Sequence, residues 1–243
     1  MKKQLLKSAL IALAGVGLLA GSAMALPTQV LPGSETPLAT VFQNQGWDID
    51  VMADQITEDF YWQVSEGIQS GSWATLIIEI AGNSAVNTFG IFDKDGNVKQ
   101  LLSGNESAGD KVSITWGQNG LLSIALFDAV NGFVSGESGI VMNQTFGFYI
   151  GTPNGPFYSD SVKNADQSDQ MVSYKGTGTN GLSEGHYVIA FEDLPYVNSD
   201  KDFNDMVLMV ESVNPIPEPA TMLLFGTGIA GLAGFARRRK ASN

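Results

Sequence analysis

The stretch "GHYVIAFEDLPYVNSDKDFNDMVLMVES", residues 185–212, decides how the chain folds. Its first part alternates: Tyr187, Ile189 and Phe191 fall on one face of an extended chain, and His186, Val188 and Ala190 on the other. Residues 206–210 are apolar on both faces, the pattern of a strand at the centre of a sheet. The two runs predict an antiparallel hairpin with residues 194–205 as the connection. That pairing brings Glu192 and Asp193, at the end of one strand, beside Asp202, Asn204 and Asp205 at the start of the next.

Runs of the same kind precede it at residues 74–82, 87–93, 111–116, 121–129 and 144–151. β-Branched and aromatic residues fill these runs, while Gly, Asn, Asp and Ser fill the gaps. The 28 glycines suit many tight turns, and residues 50–64 alone carry both helical and strand spacings. The expectation is an all-β fold, an antiparallel β-sandwich of jelly-roll type over residues 38–212, preceded by a Pro/Ser/Thr-rich leader at 26–37.

The two ends read differently. Lys2, Lys3 and Lys7 precede an apolar run, and Ala23 and Ala25 sit as in a small-residue cleavage site, so residues 1–25 read as a signal peptide for signal peptidase. At the other end, Pro215, Pro217 and Pro219 make residues 213–219 a Pro-rich linker that is not expected to continue a sheet. Residues 220–236 are free of charge and as a helix would span about 26 Å, close to a hydrocarbon core of ~30 Å. Arg237, Arg238, Arg239 and Lys240 then begin a basic tail, 237–243, that the positive-inside rule keeps cytoplasmic, leaving the body outside.

Pro217-Glu218-Pro219, a Gly-rich apolar helix and a terminal arginine cluster together resemble a PEP-CTERM sorting signal. The resemblance implies a Gram-negative, exopolysaccharide-producing source. It also implies recognition by an exosortase, with membrane attachment through the helix before processing and an end point at the cell surface or in the extracellular matrix.

Between residues 26 and 219 there are six lysines, no arginine and all 25 acids, a formal charge of −19. Such a body does not suit nucleic acid phosphates. It has no cysteine, so no disulfide staples it.

Crowded carboxylates either remain solvated on a loop or need a cation between them. Oxygen donors without Cys or His select Ca²⁺ over zinc or copper. Asp200, Asp202 and Asn204 match the first three ligand positions of an EF-hand loop, but Asp205 stands where that loop needs glycine, and no helices flank it. The candidate calcium ligands are therefore Glu192, Asp193, Asp200, Asp202, Asn204 and Asp205, with Phe203 expected to anchor the loop in the core. A second acidic stretch, "FDKDGNV" at 92–98, reads as an Asp-Gly hairpin turn.

The "FED", gap, "DFND" pattern before an apolar strand resembles the hallmark of a domain of unknown function found in bacterial surface proteins. Tyr61-Trp62, residues 77–93, 146–150 and 157–160 resemble its other landmarks, so the likeness extends over most of 38–212. It implies a β-sandwich with a calcium site at Glu192, Asp193, Asp202, Asn204 and Asp205, and no established reaction.

Catalytic constellations are scarce. His186, the single histidine, lies within an expected strand, and no "GxSxG" elbow occurs. The expectation is a non-enzymatic, calcium-binding surface or matrix protein, with exopolysaccharide or matrix proteins as partners. The alternatives are a carbohydrate-binding module using Tyr61, Trp62, Trp73, Trp116 or Tyr158, and a glycoside hydrolase using two carboxylates.

Overall fold

Fourteen strands follow one short helix, α1 (Leu38–Asn44), in the part of the chain that the computed structural model describes: residues 27–65, 71–79 and 86–217. In chain order the strands are β1 (Gln55–Ile56), β2 (Trp62–Val64), β3 (Gly71–Glu79), β4 (Thr88–Asp93), β5 (Val98–Leu102), β6 (Lys111–Trp116) and β7 (Leu121–Asp128). They continue with β8 (Gly132–Val141), β9 (Thr145–Thr152), β10 (Gly155–Tyr158), β11 (Met171–Lys175), β12 (His186–Phe191), β13 (Met206–Glu211) and β14 (Val213–Pro215). The signal peptide with Ala23 and Ala25, Glu218, Pro219, the helix at 220–236 and Arg237, Arg238 and Arg239 lie outside the described residues. Among the described residues no helix is long and apolar enough to cross a membrane.

The protein is mostly β, in antiparallel sheets. One sheet has the order β1-β11-β12-β13-β3-β6-β7-β8, and the other β14-β2-β9-β4-β5 with β10 paired to β9. β13 lies between β12 and β3, so both its edges are bonded, as its two-sided apolar pattern requires. β12 separates two apolar layers by simple alternation. Tyr187, Ile189 and Phe191 join Trp62, Phe89, Phe146 and Phe148 of the second sheet in one core. Val188 and Ala190, on the opposite face, pack with Leu38 and Phe42 of α1.

Helix α1 was not foreseen in the sequence. Its seven residues present only Leu38, Val41 and Phe42 to the interior, two short of a full apolar period over a second turn. Pro37 has the extended conformation that precedes it, and Gly46, at φ +77°, ends it by turning the chain toward Trp47. Phe42 is fully buried and meets Tyr174 of β11 edge-on, with ring centroids 5.0 Å apart. Burial of a Phe of this kind stabilises by about 1.5–3 kcal/mol, enough to hold a helix too short to persist alone.

Two segments read as flanking chain are instead part of the fold, since Pro27–Ile216 forms one compact unit. The leader packs on the acidic loop from Leu31 to Thr36, as described below. The start of the Pro-rich linker is strand β14, in which Val213, Asn214 and Pro215 pair with Val64, Gln63 and Trp62. Pro215 is tolerated because β14 is an edge strand, where its missing N–H faces away from the ladder.

Candidate metal centre

The last ladder pair of β12 and β13 is Phe191 with Met206. Glu192 and Asp193 therefore leave one strand where Asp205 enters the next. The connecting loop is turned back on itself by two non-glycine residues in the left-handed region, Lys201 at φ +63° and Phe203 at φ +52°. Such a conformation costs about 1–2 kcal/mol per residue. The Phe203 side chain is fully buried in the layer beneath α1, which offsets a cost of that size. Phe203 thus anchors the loop while its neighbours face the carboxylates.

Alternation along β12 sends Glu192 to the α1 side and Asp193 to the side of the second sheet. The candidate ligands accordingly fall into two groups. On the α1 side, side-chain oxygens of Glu192, Asp200 and Asp202 all lie within 4.8 Å of one another. Glu192 and Asp202 are 1 % exposed, whereas Asp200 is open to solvent. Asp202 accepts from the Asn204 side chain through Oδ2 at 2.8 Å. Burial, then the charges of Asp202 and Asp200, push Glu192 up to about 7, against Phe203 N–H bonding that favours its charge. Burial and Asp200 likewise push Asp202 up to about 6. Among the described residues no ion pair reaches Glu192, Asp200 or Asp202.

The leader covers this group. Leu31 N–H donates to Lys201 O at 2.7 Å, Ser34 N–H to Asp200 Oδ2 at 3.3 Å, and Asn204 Nδ2 to Thr36 O at 2.7 Å. Gly33 passes so close that a Cβ there would lie 2.0 Å from Asp202 Oδ2, and its φ of +58° also favours glycine. At its start, Thr28 donates to Asp169 at 2.5 Å.

Asp205, across the hairpin from Glu192, accepts the backbone N–H of Asp193 through Oδ2 at 2.8 Å. Asp193 Oδ2 accepts from Asn87 Nδ2, just ahead of β4, at 2.9 Å. Burial, then the charge of Asp193, push Asp205 up to about 8. Asn87 was absent from the sequence-based set because it stands in a run whose spacing marks only a strand.

The other candidates are placed apart from these carboxylates. His186 begins β12, at the far end from Glu192, with Nε2 3.1 Å from Glu211 Oε2. Residues 92–98 form the turn of the β4–β5 hairpin. There Asp93 Oδ1 accepts from the N–H of Asp95 and Asn97, and Oδ2 from Asn97 Nδ2 and Asn143 N–H, at 2.8–3.0 Å. Burial opposes the charge on Asp93, but these donors outweigh it and hold its carboxyl below the ordinary range. Trp62 and Trp116 are core residues rather than surface platforms: Trp62 is fully buried and tilts against Phe148, and Trp116 stacks on Phe146. Tyr61 and Tyr158 are half-buried, with Lys94 Nζ 4.3 Å above the Tyr61 ring.

Residues 215–240 match the PEP-CTERM protein-sorting motif. The chain carries an exosortase sorting signal. The motif implies export, membrane-associated sorting and processing by exosortase, and so an extracellular protein. Residues 123–213 match a domain of unknown function, DUF4114, a span that runs from β7 to β14 and includes every candidate ligand from Glu192 to Asp205. The resemblances at residues 61–62 and 77–93 lie upstream of that match. No curated protein and no solved structure matches the chain.

Proposed function

We propose that this exosortase-sorted protein is a non-enzymatic component of the cell surface or extracellular matrix, and that Ca²⁺ held by the loop after β12 stabilises its body. The scaffold assigned to it is a jelly-roll-type β-sandwich, on the ground that the two sheets share one core. The observation that carries calcium is the convergence of Glu192, Asp200 and Asp202, with Asp202 bonded to the fully buried Asn204, whose Oδ1 has no hydrogen-bond partner. Three carboxylates and an amide carbonyl are the hard oxygen donors that calcium takes and that zinc or copper sites do not favour. A bound divalent cation would supply the positive charge that keeps buried carboxylates ionised.

What the residues themselves do is hold that donor set. Phe203 fixes the loop, Gly33 lets the leader close over Asp202, and Asn204 ties the loop to Thr36. The unfolded chain lacks the converged donors, so binding favours the folded state. A body of charge −19 held together by divalent cations fits the cation-rich cell exterior and acidic or polysaccharide neighbours bridged through such cations. The membrane-sorting helix at 220–236 and the basic tail belong to this reading as the transient anchor.

Thermal unfolding with calcium and with chelator tests it. At a calcium concentration ~100 times the Kd, stabilisation is about 2.7 kcal/mol, a rise in midpoint of roughly 5–10 °C for a domain of this size. Asp202→Ala combined with Asp205→Ala abolishes the rise. An unchanged midpoint at millimolar calcium would overturn the proposal.

A further inference from the structure

Gln170 stands immediately before β11, and its side chain is fully buried. Neither its Oε1 nor its Nε2 has a hydrogen-bond partner. A buried amide with both ends unpaired is costly to keep, and an apolar side chain of the same length would spare the fold that cost. The ladder fixes the direction of this side chain. The β11–β12 pairing reaches Met171 with Phe191 and continues one step further, where Glu192 N–H donates to Gln170 O at 3.1 Å. Gln170 is therefore directly opposite Glu192, and residues so paired send their side chains to the same face, with Cβ atoms about 4.5–5.5 Å apart. Met171 and Phe191 both belong to the core shared by the two sheets, whereas Val172 and Ala190 both belong to the layer with α1. Alternation puts Gln170 and Glu192 on the α1 side. On that side Glu192, Asp200 and Asp202 converge.

We propose that Gln170 Oε1 is a further, neutral ligand of a cation held by Glu192, Asp200 and Asp202, and that it sets the preference of that position for Ca²⁺ over Mg²⁺. It rests on the calcium reading of the loop. β11 lies on the opposite edge of β12 from β13, so the amide approaches from a wall that the loop itself does not supply. With the Asn204 carbonyl it brings two neutral oxygens to three carboxylates, adding donors without adding repulsion. Ca²⁺ takes about six to eight oxygens at ~2.3–2.6 Å in irregular geometry, whereas Mg²⁺ demands a near-octahedral sphere at ~2.0–2.1 Å and keeps several waters. Two fully buried amides give the inner side of the position to protein oxygens rather than to water, which suits the larger ion. Since no hydrogen bond holds the Gln170 amide, its oxygen turns to the ion without breaking one.

Calorimetric titration of the chelator-treated full chain with CaCl₂ and with MgCl₂, alongside melting in chelator, tests this. Gln170→Met, of similar length and apolar, is expected to bind Ca²⁺ on the order of tenfold more weakly, with Mg²⁺ binding little changed. In chelator it is expected to melt a few degrees above wild type, because the unpaired amide is gone. Unchanged Ca²⁺ affinity, or weaker binding that comes with a lower midpoint in chelator, shows the amide to be structural and overturns the proposal, leaving the calcium reading of the loop standing. Equal weakening toward both ions overturns the assignment of selectivity. If Gln170→Met fails to fold, as judged by circular dichroism, Gln170→Glu decides alone. A further carboxylate on this face is expected to lower the midpoint in chelator and to tighten Ca²⁺ binding, and unchanged affinity rejects the ligand. No Ca²⁺ binding by the wild-type chain removes both readings.

Discussion

The backbone N–H of Phe203 donates to Glu192 Oε1 at 2.8 Å. One carboxylate at the end of β12 thereby holds the middle of the loop that returns to β13, and the same carboxylate is within 4.8 Å of Asp200 and Asp202. Shape and charge of the loop are coupled through it. Ordering the loop draws the like charges together, and neutralising them leaves the ordered loop without its main electrostatic cost.

Glu192→Gln separates the two roles. The amide oxygen still accepts from Phe203, but the charge is gone. In chelator at pH 8, above the value of about 7 to which burial pushes Glu192, the variant is expected to unfold a few degrees higher than wild type. In saturating calcium the order reverses, because a ligand has been lost. Paired melting curves check the crossing; a variant less stable in both conditions would show Glu192 to be structural only.

Stability without calcium should fall as pH rises. Glu192, Asp202 and Asp205 are pushed up to about 7, 6 and 8, each first by burial and then by neighbouring carboxylates. Between the ordinary carboxylate range near 4 and these values, the folded chain binds more protons than the unfolded chain, so the slope of stability against pH is negative. Melting in chelator from pH 5 to pH 8.5 is expected to lose several degrees, and calcium to recover most of the loss at the upper end. A flat profile in chelator would contradict the burial of charge at this loop.

Gly33→Ala tests the leader. A methyl group there meets Asp202 Oδ2 at 2.0 Å and places a side chain at φ +58°. The expected cost is about 2 kcal/mol or more, with weaker calcium binding and faster amide exchange at Leu31 and Ser34, whose N–H groups bond the loop. Unchanged exchange at these two amides would show the leader to be independent of the site.

Asp93→Ala provides the contrast. Asp93 accepts three hydrogen bonds that close the β4–β5 turn and a fourth from Asn143 N–H, between β8 and β9. Its loss is expected to cost about 2–4 kcal/mol by the same amount in calcium and in chelator, measured by urea unfolding. A calcium-dependent cost would instead make this turn a metal site.

The legible part of the molecule was the local part. Tyr187, Ile189 and Phe191 against Val188 and Ala190, followed by an apolar run on both faces, specify a strand beside a central strand whatever lies around them, because side-chain direction alternates along any extended chain. The acids at the ends of those strands follow from the hairpin register, and the order of Pro-Glu-Pro, apolar stretch and arginines is a linear signal readable without a fold. Strand β8 was missed for the complementary reason. It is a sheet edge exposed at nearly every position and built from Gly and Ser as much as from apolar residues, so it carries no burial pattern.

By itself, then, the sequence determined the β class, the central hairpin, the crowding of carboxylates at its end and the sorting signal. Only the tertiary structure decided that those carboxylates divide between two faces of one sheet, that Ser34 meets Asp200 across 166 residues, and that Asn87 of the other sheet meets Asp193 across 106. Alternation and hydrophobicity act between near neighbours and leave their mark in the order of residues. Contacts between segments so far apart depend on how the sheets pack, and no local pattern encodes that choice.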